Sequence, residues 1–512
     1  MAGHAGIIER PWYTLICGMG ALTDVYRSSL GLLIDLYELT MAYGYWQAGT
    51  WRNEAVFHLH FRKPPFGSGF TLACGLAPAI ELIEGFRFAE EDLDYLSGLR
   101  GDDGSPFFTA DFLDVLRRLE LACDIDAIPE GTVVFPQEPL VRVRGPILQA
   151  QLLETGLLNL INFQTLIATK AARVCLAAQG EPVVDFGLRR AQGIDGGLAA
   201  SRAAYAGGCD ATSNVLAGKL FGIPVKGTHA HSWVLSFDTE LEAFDAWAEA
   251  MPNNSIFLVD TYNSLEGVCH AAEVGRRLRE RGHEMMGIRL DSGDLAYLSI
   301  EARKILDAAG FPKAQILGSS ELDEHLIESL KLQGAKIDAW GVGTRLVTAY
   351  DDPALGGVYK LTAVREAPET TSPWRYKVKL SEQAAKITTP GIQQVRRFSA
   401  DGLFLADMIF DEELGAPSAP MIVDPVDLTR RKEIPQGAPW EDLLVPVFRA
   451  GKRVYDPPPL DEVRRRGVEQ LGRLHPGIKR FVNPHQYPVG LEPKLFDLRI
   501  RLILEARQRR WR

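Results

Sequence analysis

Between Asp185 and Ser236 the chain reads DFGLRRAQGIDGGLAASRAAYAGGCDATSNVLAGKLFGIPVKGTHAHSWVLS. Arg189 and Arg190 carry rigid, always-charged guanidinium forks that match the oxygens of phosphate or carboxylate. Gly193, Gly196 and Gly197 follow closely and free the backbone to approach a ligand. Further on, Gly227, Thr228, His229, Ala230, His231 and Ser232 put hydroxyls and two imidazoles after an apolar, strand-like run. Each piece alone also fits a glycine-rich loop with a solvated arginine pair. Gathered in one stretch, they describe a site for a phosphate-bearing anion. RLDSGD adds Arg289, Asp291, Ser292 and Asp294, although DSGD also suits an Asx-turn and helix cap. GVGT adds Gly343 and Thr344 after another strand-like run.

The elements that must hold these residues show a rhythm from about residue 180. Short apolar runs end in polar residues: PVVDFG then Leu-Arg-Arg, IPVKG then Thr-His-Ala-His, IFLVD then Thr-Tyr-Asn, MGIRLD then Ser-Gly-Asp, QILGSS then Glu-Leu-Asp, DAWGVG then Thr-Arg. Helical spacing fills most of the intervals, as at Leu265–Arg281 and Ala296–Ala309. Alternating strands and helices predict parallel strands with right-handed crossovers. Polar residues after each strand predict a site at the C-terminal face of an α/β barrel. Before this region, Asp35–Trp46 reads as an amphipathic helix. Ala55–Arg62 alternates and predicts a half-buried strand with His58 and His60 exposed. The expected division is an extension over 1–31, an α+β domain over 32–155 completed by about 360–425, the barrel over 156–355, and a helical and loop segment over 426–512. YKVKL at 376–380 and the run 395–410 read as strands.

A net charge of −10 argues against a general nucleic-acid binder. The arginine-rich C-terminal tail fits the solvated face of an amphipathic helix. Cys17, Cys74, Cys123, Cys175, Cys209 and Cys269 are scattered without a CxxC pair. That predicts buried thiols in a reducing compartment, with neither a disulfide framework nor a zinc site. No apolar run approaches the ~20 residues of a membrane span, and the N-terminal apolar patch makes a poor signal peptide. A cytoplasmic protein is expected, with Met1 and Met19 both open as its start.

LRRAQG with DGG, SNVLAGKLFGIPV and GTHAHS resemble the signature of the nicotinate phosphoribosyltransferases, of the type II phosphoribosyltransferase fold. LLIDLYELTMAYGYW, GIRLDSGDL, GVGTRLVT and LGGVYKL match in order, so the resemblance covers nearly the whole chain from Leu32. It implies an irregular α/β barrel with an α+β N-terminal domain. It also implies joining nicotinate to phosphoribosyl pyrophosphate with ATP hydrolysis and Mg2+, in a homodimer with sites near the subunit interface. On this resemblance Tyr37 stacks on the pyridine ring, and Arg289 pairs the nicotinate carboxylate with Thr228 nearby. Arg189 meets ribose-phosphate or pyrophosphate oxygens, and Asp291 and Asp294, with Ser292, hold ribose hydroxyls or Mg2+. Gly343 and Thr344 take the 5′-phosphate. His231, followed by Ser232, is the histidine that ATP phosphorylates. His229 has no assigned role, and the Mg2+ ligands are open. Ile34 departs from a threonine common among relatives. Two further readings compete: a nicotinamide phosphoribosyltransferase, against which Arg289 speaks, and an inactive phosphoribosyl-binding relative. A barrel aldolase or glycosidase would leave the arginine and glycine motifs unexplained.

Overall fold

The computed structural model describes residues 29–367, 372–383, 386–415, 420–427 and 429–509. Cys17, most of the expected extension and the end of the arginine-rich tail lie outside these residues. A seven-stranded antiparallel sheet runs in the order Arg375–Tyr376, Val358–Arg365, Glu54–His60, Val141–Pro146, Asp124–Ala127, Val445–Arg449, Lys452–Arg453. Glu54–His60 is internal, paired on both edges. The expectation that His58 and His60 are exposed is therefore wrong, because both are buried. The polar face is covered by the C-terminal part of the chain, whose Gln393 N–H donates to His58 Nε2 at 3.2 Å. Burial holds the His58 imidazole well below its usual range and His60 at about 3, so both are neutral.

A second sheet has the order Arg431–Glu433, Met421–Val423, Val489–Leu491, Leu403–Asp411, Gln393–Ala400, Trp440–Asp442. Strands thus occupy parts of 426–512 where only helix and loop are expected. Arg431–Glu433 and Trp440–Asp442 are too short and too charged to show a period-two apolar pattern. The helices Leu460–Gly472 and Pro493–Arg509 account for much of the remainder. At 376–380 the expected strand reduces to Arg375–Tyr376.

The third sheet carries the site, and its elements are numbered here in chain order. Helix α1 (Glu154–Ala178) leads in and is buried along most of its length. It stops where Gln179 turns left-handed, φ 55°, ahead of Gly180. Then come β1 (Val183–Asp185), α2 (Gly193–Ala206), β2 (Ala211–Thr212), β3 (Ile256–Leu258), β4 (Gly287–Leu290), α3 (Leu295–Ala308), β5 (Gln315–Ser320), α4 (Glu324–Leu332) and β6 (Ala339–Val342). The sheet order is β2-β1-β6-β5-β4-β3, parallel throughout. The class is mixed α/β with a parallel sheet. The strand expected at IPVKG is a single bridge from Val225 to Thr212, and β2 takes the place beside β1.

Among the described residues the ladder does not close into a ring. The interval between Val225 and β3 is spanned by side chains. Asn254 Nδ2 donates to the Gly227 carbonyl at 3.3 Å, and the Leu258 N–H donates to His229 Nε2 at 3.2 Å. No helix among the described residues is long and apolar enough to cross a membrane.

Candidate functional site

The polar residues that follow the parallel strands divide by what their side chains do. Asn214, Asn263, Asp294 and Asp323 each accept a backbone N–H in the first turn of the following helix. Such caps contribute about 1 kcal/mol each and fix where the helices start. Asp294 accepts the Tyr297 N–H at 3.1 Å and is not among the residues that line the cavity. Some of the rest face a cavity of about 160 Å³ at the C-terminal ends of β1, β4, β5 and β6. It is lined by Phe186, Arg189, Arg190, Arg289, Asp291, Ser319, Ser320, Glu321, Gly341, Gly343 and Thr344.

Arg189 and Arg190 reach this cavity from a tight turn, Leu188–Arg190, directly after β1. Asp185 holds the turn from beneath. Its buried carboxylate accepts from the Gly187 N–H and from the hydroxyls of Ser201 and Thr212, each at 2.8 Å. Burial raises its pKa, and these hydrogen bonds restrain the rise. One side chain thereby joins the ends of β1 and β2 to α2. Gly187 is required by packing, since a Cβ there would lie 2.0 Å from Val347 Cγ1. Gly193, with φ +82°, opens α2, and Gly196 and Gly197 lie in its first turn.

Arg289 is the buried centre of the wall. Its Nε donates to Ser319 Oγ at 2.8 Å, Nη1 to Thr228 Oγ1 at 3.2 Å and Nη2 to Asp291 Oδ1 at 2.8 Å. A guanidinium has five N–H donors, so one on each Nη is left for a ligand. The Phe186 ring lies 5.2 Å from its Cζ. Burial pushes the Asp291 pKa up, but the Arg289 charge and the Ser319 and Arg289 hydrogen bonds outweigh it and lower it overall. The Asp291 N–H and the Ser292 hydroxyl donate to Asp260 Oδ2, at 3.0 and 2.5 Å. Gly343 and Thr344 begin a single helical turn, Thr344–Val347, so backbone N–H groups and a hydroxyl, rather than a long helix dipole, are what they offer an anion.

His231 starts its own short turn beside this wall. Its Nδ1 lies 3.1 Å from Thr261 Oγ1 and its Nε2 lies 3.8 Å from Asp291 Oδ2. His229 is different in kind. It is buried against Trp247 and Phe244, and burial lowers its pKa to about 4. Its Nε2 accepts the Leu258 N–H, so it is neutral and holds the sheet edge. Ser232 is exposed and does not line the cavity.

Tyr37 is not brought to the cavity within this chain. It is half exposed on the helix Leu36–Gln47, with its hydroxyl bonded to Glu154. Glu38 beside it is buried, and its carboxyl is pushed up to about 7 by that burial. Phe186, Ser319, Ser320, Glu321, Asp260 and Thr261 were absent from the expected site, although all lie in or just after the strand-end runs the sequence marks. Among the described residues no group of three or more His, Cys, Asp or Glu side chains is arranged to hold a metal.

Known proteins resemble this chain over most of its length. Models of the nicotinate phosphoribosyltransferase N-terminal and C-terminal domains match residues 32–162 and 392–499. The nicotinate phosphoribosyltransferase of Bacillus subtilis is 41% identical over 488 residues, covering 94% of this chain and 96% of that protein. The human nicotinate phosphoribosyltransferase is 36% identical over 523 residues, covering 91% of this chain and 95% of that protein. The crystal structure of human nicotinic acid phosphoribosyltransferase superposes with a TM-score of 0.77 at 33% identity, covering 91% of this chain and 99% of that one.

Proposed function

This chain belongs to the nicotinate phosphoribosyltransferase family, and on that premise we propose that it joins nicotinate to phosphoribosyl pyrophosphate, releasing nicotinate mononucleotide and pyrophosphate in NAD salvage. The observation that carries this reading is Arg289, a buried guanidinium with two N–H donors to spare on the wall of an arginine-rimmed cavity. A planar aromatic carboxylate is the ligand such a group suits. Arg189 answers the charge of the phosphates, Gly343 and Thr344 offer donors to the 5′-phosphate, and Asp291 is a carboxylate suited to a developing cation at the ribosyl carbon. Mg2+ would supply charge neutralisation of the pyrophosphate leaving group, with Asp291 as a carboxylate that could help hold it.

His231 is proposed as the phosphoryl acceptor from ATP. With Nδ1–H donated to Thr261, the Nε2 lone pair attacks the γ-phosphorus, ADP leaves, and water later cleaves the N–P bond. A homodimer is proposed as well. Leu33, Leu36 and Tyr37 are exposed, as are Leu188 in the arginine turn and Ile194 and Val215 at the starts of the helices that follow β1 and β2. A second copy covering both faces would supply the missing aromatic platform from Tyr37. A cytoplasmic location agrees with the free thiols at Cys74, Cys123, Cys175, Cys209 and Cys269.

The test is a product assay with phosphoribosyl pyrophosphate and Mg2+, comparing nicotinate with nicotinamide, each with and without ATP, alongside His231→Ala. Nicotinate should turn over faster with ATP, and the increment should vanish in the variant. Preference for nicotinamide, or no turnover, would overturn the assignment.

A further inference from the structure

Ser319 stands between the two charged residues at the centre of the cavity wall. It lies on β5 beside the end of β4, where Gly318 pairs with Leu290, and it is buried. Its Oγ accepts from Arg289 Nε at 2.8 Å and donates to Asp291 Oδ1 at 2.5 Å. The Leu290 carbonyl, at 3.3 Å, is the weaker claimant on the same proton. Arg289 Nη2 closes a ring by donating to the same Asp291 Oδ1 at 2.8 Å. One carboxylate oxygen is thus held by two donors. The other, Oδ2, accepts no hydrogen bond among the described residues and lies 3.8 Å from His231 Nε2.

An arginine and a carboxylate this close commonly pair through two parallel hydrogen bonds. Nε and Nη2 share the edge of the planar guanidinium on which such a pair forms, and Asp291 meets only Nη2 there. Ser319 fills the other place. Without its hydroxyl, Nε is a buried donor with no acceptor, a costly state, and a turn of the Asp291 carboxylate relieves it by presenting Oδ2. Both oxygens are then spent on Arg289, and neither is left for a ligand. We propose that Ser319 is a positioning residue: by occupying Arg289 Nε it keeps Asp291 from closing onto the guanidinium with both oxygens, which leaves Oδ2 free for the reacting ribosyl group. The role given to Oδ2 rests on the proposed reaction, whereas the spacing of the pair does not.

A crystal structure of the full chain carrying Ser319→Ala tests the spacing directly. It should show Asp291 bonded through both oxygens to Arg289 Nε and Nη2. A carboxylate left in place, with water where the hydroxyl was, overturns the inference whatever the reaction. Single-turnover transfer from phosphoribosyl pyrophosphate to nicotinate reads the consequence. Ser319→Ala should slow transfer about tenfold, the order of one charge-assisted interaction lost, while the KM for nicotinate changes by less than about threefold. In an Asp291→Asn background, where no charge remains to pair, the same substitution should cost less than about twofold. An equal cost in both backgrounds means that the serine acts by itself, and overturns the inference. A closed pair that still transfers at the parent rate overturns the role given to Oδ2. Absence of transfer in the unsubstituted chain overturns the assigned reaction and that role with it, while the crystal structure still decides the spacing.

Discussion

His229 and His231 stand two residues apart and are put to opposite uses by their surroundings. His229 is buried, neutral and bonded to the Leu258 N–H, whereas His231 is partly exposed beside Asp291. Substitution should separate them. His229→Ala is expected to lower stability by about 1–3 kcal/mol, the cost of an orphaned buried N–H, as read by thermal melting. His231→Ala should melt near the parent temperature and lose only the ATP-dependent increment. Arg289 is expected to be the residue least tolerant of conservative change. Lysine keeps the charge but not the fork that engages Ser319, Thr228 and Asp291 together. Arg289→Lys should raise the KM for nicotinate about ten- to a hundredfold, the loss of one or two charge-assisted hydrogen bonds, with a smaller effect on the KM for phosphoribosyl pyrophosphate. Steady-state kinetics with each substrate varied in turn would check this.

The strand ends and the turns after them set the geometry of the site. Gly187 lets the arginine turn lie against the Thr344–Val347 turn with no room for a methyl group. Gly187→Ala should push these two cavity-facing turns apart and cost about 1–3 kcal/mol of stability by overpacking. The loss in kcat/KM should exceed what the melting temperature suggests, because both turns carry ligand-facing groups. This layer is also where the sequence was most informative. Repeated apolar runs ending in polar residues located β1 and β3 to β6 and most of the cavity wall. The same signal could not say which polar residues cap a helix, as Asp294 does, and which face the cavity, as Asp291 and Glu321 do. Composition is identical in the two cases, and only backbone direction decides. His58 and His60 misled for a related reason. Alternation reports two chemically different faces, but a buried polar face reads like a solvated one until its covering sheet, formed hundreds of residues later, is in place.

In the whole molecule, buried titratable groups set opposing dependences on pH. His58, His60 and His229 are neutral when folded and have depressed pKa values. The unfolded chain takes up protons at these sites below about 6.5, so their contribution is full above that pH and is lost as pH falls. Glu138 works the other way. Burial, reinforced by the neighbouring Asp407 carboxylate, raises its pKa well above the usual carboxylate range. The folded chain keeps a proton that the unfolded chain releases, so this contribution is present at low pH and declines as pH rises towards the folded pKa. Melting temperature measured against pH should fall on the acid side, and Glu138→Gln should flatten the decline on the alkaline side. The order of strands in the antiparallel sheet has a consequence of another kind. Glu54–His60 waits for Val358–Arg365 as one of its two neighbours, and Val445–Arg449 closes onto Asp124–Ala127 later still. At roughly 5–20 residues per second, a ribosome needs about a quarter of a minute to a minute to deliver that neighbour. Throughout that interval a nascent chain displays an apolar strand edge, while β1 to β6 emerge in an unbroken run and can pair as they appear. Vectorial synthesis therefore finishes the inserted parallel layer before the layer that begins the chain, and the early edge is where a chaperone would be needed.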